Sequence, residues 1–221
     1  MKPGPDDSLS RRELLKRAGA VGAAGVVAFI PAASILSRPE ALVQGAAAAV
    51  REPLRTLTAA EADVLESVCA RLIPSDANGP GASEARAARY IDRALGDALK
   101  SSRAAYAAGL AALDAYATSS RGARFAALSP ADQDAVLQDA ATGAATGFPN
   151  GSAAFFTLVR AHTIEGTFGD PYYGGNAGFV GWDLIGYPGV RTIVTADEQR
   201  LGADTKSNHK SAYDYGMFNK A

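Results

Sequence analysis

Cysteine is nearly absent. Cys69 stands alone in 221 residues, so no internal disulfide can form. CxxCH haem attachment and any cysteine-ligated iron–sulfur cluster are excluded as well. Histidine occurs only at His162 and His209. There is no surplus of basic charge, since 22 Lys and Arg face 23 Asp and Glu for a formal net charge of −1. Proteins that gain affinity by releasing counterions from phosphates normally carry a basic excess, so no nucleic-acid partner is expected. The sequence has no GxSxG elbow, which removes support for a serine hydrolase. Without GxGxxG or GxxxxGK[ST], it also lacks the glycine cradles of dinucleotide and P-loop sites.

What is there points to helices. Nearly half the residues are apolar, 48%, enough to bury a core in one domain of ordinary size. Alanine is abundant and β-branched residues are sparse beyond the first 50 positions, a bias toward helix over strand. The chain opens differently. Ser10-Arg11-Arg12-Glu13-Leu14-Leu15-Lys16 precedes an uncharged run over residues 18–36, and small residues follow at 46–49. That order is a basic region, an apolar region and a cleavable stretch. Arg11 and Arg12, followed by leucines and a lysine, match a twin-arginine export signal read by the twin-arginine translocase. The apolar run is rich in Ala and Gly and contains Pro31, so it is a weak membrane span; an uncleaved anchor is the rival reading. Residues 1–48 are therefore expected to be signal and linker, and 49–221 a helical domain exported to the periplasm. This export route carries proteins that are already folded, often with a cofactor inserted, yet the chain shows no cofactor site of its own.

Within the domain, Leu57-Thr58-Ala59-Ala60-Glu61 reads as a capping box opening a first helix. Leu57, Val64, Leu65, Val68, Leu72 and Ile73 recur at helical spacing, and Pro74 marks the stop. A second stretch carries Tyr90, Ile91, Ala94, Leu95, Ala98 and Leu99. A third sets Tyr106, Leu110, Leu113 and Tyr116 on one face. Ser129-Pro130 supplies an N-cap and a first-turn proline for a fourth helix through Val136 and Leu137. A last helix is expected from about 152 to 168, with Phe155, Phe156, Val159, Thr163 and Ile164 inward. The fold class is mostly α: a compact helical domain with a long Gly- and aromatic-rich loop near the C-terminus, preceded by a signal segment.

That loop, residues 166–189, interleaves glycines with Phe168, Tyr172, Tyr173, Phe179, Trp182 and Tyr187. Glycine lets backbone approach another surface closely. Aromatic rings with polar tips are enriched at protein–protein contacts. Two readings are open: a partner surface, or a loop folded back on its own helices.

Three stretches carry a resemblance. They are the leader at 10–16, the run Leu57-Thr58-Ala59-Ala60-Glu61 through Arg71-Leu72-Ile73-Pro74, and Glu165-Gly166-Thr167-Phe168-Gly169-Asp170-Pro171-Tyr172-Tyr173-Gly174-Gly175-Asn176. The last continues into Gly181-Trp182-Asp183-Leu184-Ile185-Gly186-Tyr187-Pro188-Gly189. In these the chain resembles the gluconate 2-dehydrogenase subunit 3 family, the small subunits of membrane-associated dehydrogenase complexes. The resemblance implies a helical, non-catalytic partner for an FAD-containing catalytic subunit of the glucose–methanol–choline type. A multihaem cytochrome c commonly forms the third subunit. It also implies that the leader carries the folded flavoprotein across the membrane. The residues expected to face the partner are Asp170, Pro171, Tyr173, Gly174, Gly175, Asn176, Trp182, Tyr187 and Pro188.

A different class of function stays open beside it, an independent periplasmic metal-dependent enzyme. His162 and Glu165 sit three apart on a helix, with Asp170 the nearest third ligand. The plainer expectation for His162 is a core position beside Val159 with one hydrogen bond. Cys69 is expected beside the core stripe, the alternative being a cross-link to a partner. The tail from 213 to 218 is aromatic enough to dock and equally compatible with fraying.

Overall fold

A computed structural model describes residues 53–218. Arg11 and Arg12, and with them the expected leader, lie outside the described residues. The chain divides into two units, Met1–Ala49 and Val50–Ala221, and the described residues belong to the second. Among them are six α-helices and no strand; one isolated bridge joins Asp76 and Gly79.

Helix α1 (Ala59–Leu72) begins where the capping box places it. The Glu61 carboxylate accepts from the Thr58 amide at 2.8 Å, and Thr58 Oγ1 accepts from the Glu61 amide at 3.3 Å. Its inner face buries Val64, Leu65, Val68 and Cys69. Helix α2 (Ala87–Ala94) is shorter than the apolar spacing suggests. The chain leaves helical geometry near Gly96. Leu95 remains buried and Leu99 packs against the core, but Ala98 points to solvent. Helix α3 (Arg103–Arg121) buries Tyr106, Leu110 and Leu113, while Tyr116 is half-buried and donates to Asp139 at 3.0 Å. Helix α4 (Pro130–Thr142) starts on the Ser129 cap, and Gly143 closes it in the left-handed conformation.

Helix α5 (Ser152–Phe168) has the expected bounds and packs against α2 and α4. Phe155, Val159 and Thr163 are buried and Phe156 is partly so. Ile164, expected inward, is exposed. The inward positions of that turn go to His162 and Thr163, whose polar atoms find partners inside. The core joins Leu65, Val68, Ile91, Leu95, Tyr106, Leu110, Leu113, Phe125, Val136 and Val159. Each such side chain contributes about 2 kcal/mol through removal from water.

One polar group organises the entrance to this core. Asp92, on α2 and almost fully buried, accepts from the backbone amides of Arg55, Thr56 and Leu57 at 2.8, 2.9 and 2.9 Å, and from the Arg89 guanidinium at 2.9 Å. Burial alone would discourage its charge. The Leu57, Arg55 and Thr56 amides, with Arg89, outweigh that and hold the carboxyl below its ordinary range.

Candidate functional site

The segment that follows α5 is folded rather than irregular. Asp170 caps a 3₁₀ turn (Pro171–Tyr173), a second turn spans Ala177–Phe179, and a short helix α6 covers Val180–Leu184. No helix was expected here. The local signal was hidden because the turns are set by side-chain-to-backbone bonds, not by apolar spacing.

Asn176 makes two of those bonds from its side chain and adds a third from its backbone amide. It sits at φ 43°, in the left-handed region that asparagine tolerates better than most residues. Its amide donates to Gly166 O at 2.7 Å, its Nδ2 donates to Gly169 O at 2.9 Å, and its Oδ1 accepts from the Gly181 amide at 2.8 Å. Trp182 lies beside it and donates from Nε1 to Phe168 O at 2.8 Å. Two glycines allow the backbones to meet. A side chain at Gly175 would strike the Gly166 carbonyl, and one at Gly181 would strike the Thr167 carbonyl.

A strap from the C-terminal tail crosses this platform. Ser211 Oγ donates to Asp170 at 2.6 Å and the Ala212 amide donates to the same carboxylate at 3.0 Å. Tyr213 stacks on Tyr172, with ring centroids 3.7 Å apart and planes 17° from parallel, and its hydroxyl meets that of Tyr173 at 2.8 Å. His209 pairs with Asp183 at 2.7 Å and stacks on Phe179. The tail therefore docks through Tyr215, whose hydroxyl donates to Val190 O at 2.8 Å, while Met217 and Phe218 are exposed.

Against this frame the expected interface residues separate. Tyr173 and Tyr187 are exposed, and Asp170, Pro171, Gly174 and Pro188 are half-buried. Gly175, Asn176 and Trp182 are buried, Asn176 at 0% exposure, so they brace the loop from within and present no side chain outward. That is a correction to the expected surface, and its cause is the hydrogen bonding just described. The loop offers instead Tyr172 at 56% and Ile185 at 57% exposure, and Leu184 is exposed as well. Sequence reasoning passed over Leu184 and Ile185, although two adjacent aliphatics at the end of so short a helix cannot both turn inward.

The metal reading gathers no support. His162 is buried, its Nδ1 is 2.9 Å from the Tyr106 hydroxyl, and the two rings stack. Burial lowers the basicity of its imidazole, with Glu165 pulling weakly the other way. Glu165 is exposed and accepts from the Tyr90 hydroxyl at 3.1 Å, while Asp170 is taken up by the strap. Among the described residues no group of three or more His, Cys, Asp or Glu could hold a metal ion. Cys69 is buried as expected, with Sγ 3.4 Å from Thr163 Oγ1, and burial pushes its thiol up to about 12. It offers no thiolate to a partner. Asp92, Ser211 and His209 were not singled out from sequence. Asp92 was legible in principle, because a carboxylate inside the Tyr90–Leu95 apolar stripe must find donors.

An all-helical domain carrying a long, internally braced loop with apolar side chains turned outward is the class of protein that these features define. The chain belongs to the gluconate 2-dehydrogenase subunit 3 family, whose sequence model matches residues 59–189. The match runs from the first residue of α1 to the end of the braced loop and stops short of the strap. The family is described as one subunit of a larger enzyme, which implies a catalytic partner subunit. Comparison with curated proteins and with solved structures returned no match.

Proposed function

We propose that this chain is the small, non-catalytic subunit of a periplasmic FAD-dependent sugar or alcohol dehydrogenase of the glucose–methanol–choline type. It binds the folded flavoprotein through the braced loop, stabilises it, and carries it through the twin-arginine translocase by means of Arg11 and Arg12. Redox chemistry and substrate choice belong to the partner.

The observation that carries this reading is a set of exposed apolar side chains on an internally hydrogen-bonded loop. Tyr172, Tyr173, Leu184, Ile185 and Tyr187 project from a backbone that Asn176, Trp182 and Asp170 hold in place. Large side chains already fixed in position lose little entropy on binding, which is what concentrates affinity in a few residues. The twin-arginine leader and the family membership support the same reading from the sequence side.

The test is to co-express this chain with its flavoprotein, with Arg11 and Arg12 both replaced by Lys, and to assay FAD-linked dehydrogenase activity in periplasm and cytoplasm. The escort role requires that periplasmic activity disappear while flavoprotein accumulates in the cytoplasm. Export that continues unchanged would refute it.

A further inference from the structure

All eight tyrosines of the chain lie among the described residues. Five have non-tyrosine partners: Tyr90 with Glu165, Tyr106 with His162, Tyr116 with Asp139, Tyr187 with Trp182, and Tyr215 with Lys210 and the Val190 carbonyl. The remaining three meet one another. Tyr172 and Tyr213 stack face to face at 3.7 Å, Tyr172 and Tyr173 contact edge to face at 5.4 Å, and the Tyr173 and Tyr213 hydroxyls lie 2.8 Å apart. Tyr172 and Tyr173 are open to solvent and Tyr213 is half-buried. Their registry does not depend on the rings alone, since Asp170 fixes the backbone on the N-terminal side of Tyr213 through Ser211 and Ala212.

We propose that Tyr172 and Tyr213 form an oxidative cross-linking site, at which a dityrosine bond fastens the C-terminal strap to the loop. Stacked rings at van der Waals separation hold reactive carbons together before any radical forms, so coupling within the molecule outruns diffusion. Each phenol gives one electron to a one-electron oxidant and its hydroxyl proton to solvent. The two phenoxyl radicals then join through a ring carbon ortho to each hydroxyl. Each joined carbon passes its hydrogen back to the phenol oxygen as the ring regains aromaticity. One C–C bond forms, two C–H bonds break, and two hydrogen atoms leave in total. Hydrogen peroxide acting through a haem peroxidase takes them up and becomes two molecules of water. Tyr173 is a positioning residue, because its hydroxyl holds the orientation of Tyr213. The bond would close the chain between positions 41 apart and make the strap a permanent part of the loop surface, independently of which partner that surface meets.

The experiment treats dilute full-length chain with a haem peroxidase and hydrogen peroxide. It follows dityrosine fluorescence and maps linked peptides by mass spectrometry. The expected product is a monomer in which peptides carrying Tyr172 and Tyr213 are joined with loss of two hydrogens. Its yield should not depend on protein concentration, and its thermal midpoint should rise. Tyr213→Phe should abolish this product, whereas Tyr116→Phe, on helix α3 outside the loop, should leave it intact. Equal yield from Tyr213→Phe would overturn the assignment. So would a bond mapped to Tyr173 and Tyr213, or a product that forms only between molecules.

Discussion

The Oδ1 atom of Asn176 accepts the amide proton of Gly181 at 2.8 Å, while its Nδ2 reaches back to the Gly169 carbonyl at 2.9 Å. One buried side chain thus joins the end of α5 to the start of α6. Asn176→Ala removes both bonds and leaves buried backbone groups without partners. It also places alanine in a left-handed conformation. The expected loss is about 3 kcal/mol, since each unpaired buried group costs about 1–3 kcal/mol. Urea unfolding should register it, and limited proteolysis should show new cleavage in residues 170–189. A variant as stable and protease-resistant as the parent would contradict the role given to Asn176.

Asp92 should matter as much at the other end of the domain. Asp92→Ala strips an acceptor from three backbone amides and a guanidinium, with an expected cost of about 3 kcal/mol at neutral pH. Its carboxyl titrates lower in the folded chain than the ordinary 3.8. The contribution is therefore complete above that value and is lost as pH falls through the folded one. Denaturant curves for parent and variant should lie far apart at pH 7 and draw together in strong acid.

His162 acts in the same direction as Asp92, at higher pH. Its folded pKa lies below the ordinary 6.5 because burial disfavours the imidazolium. The unfolded chain takes up a proton near pH 6.5 and the folded chain only at lower pH. Stability should accordingly be full above 6.5 and decline as pH drops between the two values. His162→Gln, which can still hydrogen-bond to Tyr106, should flatten that decline between pH 7 and 5. Equal slopes for parent and variant would show that His162 is not the group responsible.

Cys69 should behave as an inert core side chain. With its thiol pushed up to about 12 and no exposed surface, alkylation by iodoacetamide at pH 8 should be negligible in the folded protein and rapid in urea. Stoichiometric labelling under native conditions would bring back the reading in which this thiol reaches a partner.

The helical body was legible because its signals are local. The Thr58–Glu61 box, the Ser129-Pro130 start and the 152–168 helix follow from spacing and cap chemistry alone. Ala98 and Ile164 were misplaced for related reasons: a helix that stops at Ala94 ends the apolar spacing early, and polar His162 and Thr163 occupy inward positions that an apolar pattern assigns elsewhere. In the loop, composition revealed that the segment is special but not which residues face outward. Asn176 looks like a surface residue until its three bonds to Gly166, Gly169 and Gly181 are seen, and those depend on backbone approaches that no spacing encodes. The strap was least legible, because Asp170 meets Ser211 across 41 positions.

The central claim is that the outward side of the loop binds the catalytic subunit, and Ile185 tests it most directly. Ile185 is among the most exposed apolar residues of the loop, and its side chain lies apart from the Asn176 bracing. Ile185→Asp should leave the unfolding midpoint of the isolated chain unchanged. Co-purification with the flavoprotein should fall at least tenfold, because a carboxylate at a desolvated contact costs well over 1.4 kcal/mol. Undiminished co-purification of Ile185→Asp, and of the double variant with Tyr187→Ser, would contradict the account and place the contact elsewhere on the domain.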